Sequence, residues 1–85
     1  GAFHASVQRR FRQYYKEPNQ DFAGAEMEFE IGSEGAVRSY RMVRSSGNAL
    51  NDTALMEAAA RLQKDGVAPP PEGDARRVQV KVTPY

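Results

Sequence analysis

Three residue types in this chain have the chemistry of a nucleophilic triad: a serine at 45 or 46, His4 and Asp52. In such a triad the hydroxyl attacks a carbonyl, the imidazole takes its proton and the carboxylate orients the ring. Both serines lie in "VRSSGNALND", which lacks the Gly-x-Ser-x-Gly elbow that exposes a nucleophile between a strand and a helix. Nothing nearby supplies an evident oxyanion hole, and His4 stands beside a terminus that is expected to fray. "SSGN" also lacks the glycine spacing and the lysine of a phosphate loop. Ser, Asn and Gly are ordinary turn residues. The preferred reading of this stretch is therefore structural: the end of a strand, a polar corner, then a helix cap.

Metal chemistry has as little to work with. One histidine, no cysteine and the alternating Glu26, Glu28 and Glu30 make a poor ligand set. The three carboxylates suit cross-strand ion pairs better. Without cysteine there is no disulfide and no thiolate nucleophile. No cofactor is implied, and the residues read as non-enzymatic. "RRFRQYYK" interleaves arginine with aromatics, a pattern met in nucleic-acid binders. Here Arg9, Arg12 and Lys16 fall opposite the apolar face, so a solvated face is the better reading. A net charge of +1 gives no reason to expect a polyanion.

The elements that must position these residues follow from periodicity. Phe3, Val7, Phe11 and Tyr14 are spaced for one face of a helix, with Tyr15 at its margin, and Pro18 ends it. "EPNQDFAGA" reads as loop. Ala25, Met27, Phe29 and Ile31 then alternate with Glu26, Glu28 and Glu30, which predicts a half-buried strand. "GSEGA" is a turn, and "VRSYRMVRS" predicts a hairpin partner with Tyr40 and Met42 facing the core. Val37 and Val43 break that parity, so a bulge or a two-sided edge is expected. A second helix is predicted with Asn51 as N-cap, a Leu50–Leu55 staple and a stripe of Ala54, Leu55, Ala58 and Leu62. Met56 points away from that stripe. Gly66 stops the helix, and "VAPPPEGD" is a stiff extended link. Val78, Val80 and Val82 alternate with Arg77, Gln79, Lys81 and Thr83 in a last strand.

The 85 residues are thus expected to form a single α+β domain of order α-β-β-α-β. Charge orders the sheet. The acidic stripe of the first strand is matched by Arg41 on the second and by Arg77 and Lys81 on the third. The first strand should lie in the middle of a three-stranded antiparallel sheet of order 2-1-3, with two helices packed on one face. Two edges are then left open. The C-terminal one has little protection beyond Arg77 and Lys81, which makes it a site for strand addition by a peptide. An open edge also invites a strand-exchanged homodimer.

"AEMEFEIGSEGAVRSYRMVRSSGNALNDTALMEAA" followed by "APPPEGDARRVQVKV" resembles the C-terminal domain of TonB and of its relative TolA. The shared pattern is a hydrophobic strand (Met27–Ile31), a glycine turn (Gly35–Val37) and a second strand ending in Ser45–Gly47. It continues with a helix opening at Leu50–Leu55, a proline link (Pro69–Pro71) and a Val-rich last strand (Val78–Val82). The resemblance spans about residues 3 to 84. It implies the periplasmic domain of an inner-membrane-anchored energy transducer of a Gram-negative bacterium. Such a domain works with an ExbB–ExbD motor and binds the TonB box of an outer-membrane transporter on the last strand. Uptake of iron chelates, haem or cobalamin follows. Arg77, Val78, Gln79, Val80, Lys81 and Val82 would carry the pairing. The anchor and a Pro-rich spacer would belong to an upstream part, since "GAFHAS" reads like a cleavage scar ahead of a fragment. Departures are the separation of Tyr15 from Pro18, the "GAEMEF" start and the missing TolA cysteines. A TolA-like envelope-integrity protein is the alternative within this resemblance, and a small serine hydrolase the alternative outside it.

Overall fold

Strict alternation gives the first strand, β1 (Ala25–Ile31), two unlike faces. Ala25, Met27, Phe29 and Ile31 are buried on one, while Glu26, Glu28 and Glu30 point to the other. The computed structural model describes residues 1–19 and 21–84, and orders the chain as α1 (Ala2–Tyr14), β1, β2 (Val37–Arg44), α2 (Ala49–Asp65) and β3 (Arg76–Val82). The predicted loop before β1 is present apart from Gln20, which lies outside the described residues. The sheet is antiparallel with order β2-β1-β3, as charge matching predicts.

The charges meet as expected. Arg41 Nε lies 3.1 Å from Glu28 Oε1, Arg44 pairs with Glu26 at 3.7 Å, and Arg77 reaches Glu30 at 3.1 Å and Glu28 at 3.7 Å. Glu28 is buried beneath these partners although it sits on the outer face. Parity along β2 is rescued by two register shifts. Val37 pairs with Ile31 while Ser39 pairs with Glu30, so Arg38 is an extra residue. Met42 pairs with Met27 while Arg44 pairs with Glu26, so Val43 is another. The first shift turns Val37 into the core alongside the half-buried Tyr40 and Met42.

Both helices cover the apolar face, α1 against β3 and α2 against β2. Phe11 of α1 meets Phe29 edge-on at a centroid distance of 5.4 Å, and Phe29 also packs near Tyr40 at 6.4 Å. The end of α1 differs from the periodic expectation. Tyr15, not Tyr14, is buried, because Phe3, Val7, Phe11 and Tyr15 form an unbroken i+4 series. Tyr14 instead donates to Asp65 Oδ2 at 2.6 Å and lies under the Arg61 guanidinium, tying the two helices together at the surface.

The start of α2 also corrects the sequence reading. Asn48 is the N-cap, with extended φ −133° and ψ 121°, and its Oδ1 accepts from the amides of Leu50 and Asn51 at 3.0 and 3.1 Å. Leu50 is 67% exposed, so no staple with Leu55 forms. Asn51 is buried, and its Nδ2 donates to the Tyr15 hydroxyl and the Asn19 carbonyl. The buried stripe is Asn51, Leu55, Ala58, Ala59 and Leu62, with Ala54 at its margin. Asn48→Ala is expected to cost about 1 kcal/mol, read as a lower urea midpoint, because two amides lose their acceptor.

Gly66 ends α2 as predicted, with its amide bonded to Leu62 O. The proline link is extended at Pro70 (φ −60°, ψ 151°) but closes into a 3-10 turn over Pro71–Gly73. The β1–β2 turn folds onto this link: Val67 N donates to Gly35 O at 2.9 Å. Gly35 has φ +93°, and a Cβ there would stand 2.1 Å from Val67 O. Only glycine fits such a position.

Candidate peptide-docking edge

The residues expected to dock a peptide, Arg77 to Val82, all lie on β3, whose only strand neighbour among the described residues is β1. Their side chains divide cleanly. Val78, Val80 and Val82 are buried in the core, while Arg77, Gln79 and Lys81 stand on the opposite face. Gln79 Nε2 reaches Glu28 Oε2 at 3.3 Å, and Lys81 is the register partner of Glu26.

The backbone divides the same way. In an antiparallel ladder, successive residues turn both backbone groups alternately toward and away from the neighbour. Val82 O faces the chain entering β1, 3.2 Å from where a Gly24 Cβ would be. Gln79 O and Thr83 O, of the other parity, accept hydrogen bonds from α1. Residues 77, 79, 81 and 83 therefore present their amides and carbonyls outward, as strand addition requires.

This edge was expected to be open, and here the structure corrects the sequence reading. His4 Nε2 donates to Gln79 O, and Arg12 Nη1 donates to Thr83 O at 2.9 Å. The lengths match: His4 to Arg12 is eight helical steps, about 12 Å, and Gln79 to Thr83 is four strand steps, about 13 Å. Lys81 lies between the two contacts. On the other side of the sheet, Gln63 of α2 reaches Arg38 O at 3.3 Å. His4 is thus part of α1 and not a loose terminus.

The triad residues are separated by the width of the sheet. Ser45 and Ser46 follow β2, whereas His4 lies against β3. Both serine hydroxyls instead donate to Asp52, at 2.5 and 2.6 Å, and the Ser46 amide adds a third bond at 2.9 Å. Partial burial raises the pKa of Asp52, but these donors outweigh it and hold the carboxyl below its ordinary value. Glu28 is also held low, by hydrogen bonds from Gln79 and then Arg41, against the opposing effect of burial. A carboxylate whose folded pKa is depressed stabilises the fold fully above its unfolded value, near about 4. That stability fades as pH falls through the folded value. The urea midpoint is therefore expected to fall on acidification below about pH 4, and less steeply in Asp52→Asn.

Sequence reasoning did not find His4 and Arg12 as edge contacts. The one available signal was the polar spacing His4, Gln8, Arg12 at i, i+4 and i+8. A solvated face shows the same spacing.

The class of protein defined by this arrangement is a small α+β domain with a peripheral strand turned outward and its serines committed to a helix-capping corner. Within that class, the sequence model described as "TonB C terminal" matches residues 1–83. The chain belongs to the TonB C-terminal family. That family consists of non-enzymatic energy transducers, periplasmic and anchored at the inner membrane, that interact with outer-membrane transporters. No helix among the described residues is long and apolar enough to cross a membrane. Comparisons with curated proteins and with solved structures gave no match.

Proposed function

We propose that this domain captures the TonB box of an outer-membrane transporter as a fourth strand on β3. Tension from an ExbB–ExbD motor, delivered through an inner-membrane anchor and a spacer, is then passed to the transporter. Entry of iron chelates, haem or cobalamin is the outcome. Arg77 to Val82 supply the pairing. The single observation that supports this reading is the outward backbone of β3 at Gln79, Lys81 and Thr83, on a strand that among the described residues has a neighbouring strand on one side only. Main-chain pairing gives affinity there, and the outer-face side chains Arg77, Gln79 and Lys81 adjust it.

The test is a titration of isotope-labelled domain with a synthetic TonB-box peptide. Amide shifts are expected along Arg77–Val82 and in β1 behind them. Shifts confined to α2 and β2, with β3 silent, would sink the reading.

A further inference from the structure

We propose that His4 and Arg12 form a releasable cover on the docking edge, so that strand addition proceeds by displacing them, beginning at Lys81. The inference rests on the strand-addition reading and adds to it a built-in competitor for the same backbone groups.

The geometry makes the competition unavoidable. An added strand lies about 4.8 Å from its neighbour and takes the outward carbonyls as acceptors. The Arg12 guanidinium, 2.9 Å from Thr83 O, already stands inside that corridor, and the His4 ring does so at Gln79 O. A carbonyl has a second lone pair, but an incoming backbone cannot share the space. Both side chains must therefore leave before pairing extends over Gln79 to Thr83. Between them, the outward groups of Lys81 are the first that a peptide reaches.

Release does not require α1 to unfold or shift. The helix is anchored on its other side by the buried Phe3, Val7 and Phe11. The covering contacts are made by side-chain tips at the exposed surface. A groove of about 650 Å³ along α1, bounded by His4, Ala5, Gln8, Arg9, Arg12 and Gln13, gives both side chains room to turn away. The cover is thus held by rotatable side chains on a fixed helix, and a partner strand replaces each lost contact with a backbone hydrogen bond.

The test compares affinities of one TonB-box peptide for wild type, His4→Ala, Arg12→Ala, the double variant and Lys16→Ala. The last removes an exposed positive charge just past the C-terminal end of α1 without touching β3. Losing an exposed hydrogen bond that opposes binding is expected to tighten it about fivefold per contact. The double variant should gain roughly 25-fold, and Lys16→Ala should stay within about twofold of wild type. A second measurement uses the peptide-free domain. The carbonyl carbons of Gln79 and Thr83 should shift in the His4 and Arg12 variants, respectively, and not in Lys16→Ala. Folded variants that bind as weakly as wild type or more weakly overturn the proposal, and so do unmoved carbonyl shifts. If wild type and every variant are silent toward the peptide, the strand-addition reading itself fails and takes the cover with it.

Discussion

Lys81→Pro is expected to weaken binding of the transporter segment by at least about tenfold while the domain stays folded. The amide of Lys81 faces outward, with the parity of Gln79 and Thr83, so it takes no part in the ladder to β1. Proline removes that donor and fills its place with a ring, which an edge strand tolerates on its free side. An added strand would then carry an unpaired carbonyl in the middle of its contact. Leaving such a group unsatisfied costs about 1–3 kcal/mol, and the ring adds a steric block. Val80→Pro makes the contrast. Its amide faces β1, so it should unfold the domain. Fluorescence anisotropy with labelled peptide and a urea titration read the two effects separately. A folded Lys81→Pro with wild-type affinity would show that the partner does not pair along this edge.

The second large effect is on stability. Gly35→Ala is expected to destabilise the domain by about 3 kcal/mol, enough to remove much of the stability of a domain this small. Two costs combine. A φ of +93° is strained for any residue with a Cβ, and that Cβ would stand 2.1 Å from Val67 O. The obstacle is backbone, so relief means pushing the link after α2 away and losing the bond from Val67 N to Gly35 O. Chemical denaturation of both forms measures the difference. A loss below about 1 kcal/mol would mean that the turn relaxes freely and that the link is not held by it. Gly47→Ala, where a Cβ meets nothing within 4 Å, isolates the conformational part of the cost, since its φ is +79°.

Much of the architecture was legible because two strands state their faces. The alternation at Ala25–Ile31 and Arg77–Thr83 leaves one way to bury Phe29, Val78 and Val80 together. The opposed charges of Glu28, Arg41 and Arg77 then place β1 in the middle. The N-cap was misassigned because "NALN" offers two asparagines, and local pattern cannot choose between them. What decides is tertiary: the Tyr15 hydroxyl and the Asn19 carbonyl draw Asn51 into the core, leaving Asn48 at the cap. Tyr14 and Tyr15 posed a similar choice at the end of α1, settled by their partners: Asn51 bonds the Tyr15 hydroxyl in the core, and Asp65 takes that of Tyr14 at the surface. That β3 forms a strand at the edge of the sheet could be read from the sequence, since it is apolar on one face and uninterrupted. Its cover could not. The contacts of His4 and Arg12 depend on where α1 lies across the sheet, a lateral position that no periodicity encodes.

The two α1 contacts on β3 bear differently on a foreign strand and on a second copy of the domain. A peptide brings no cover of its own and displaces two contacts. Two domains joining β3 to β3 about a twofold axis each bring a covered edge, so four contacts must go for the same length of new ladder. At about fivefold per contact, the handicap on self-pairing is roughly 600-fold against 25-fold for the peptide. On the strand-addition reading, this pair of surface hydrogen bonds would thus act as a filter on stoichiometry, taxing the homotypic complex as the square of what it taxes the heterotypic one.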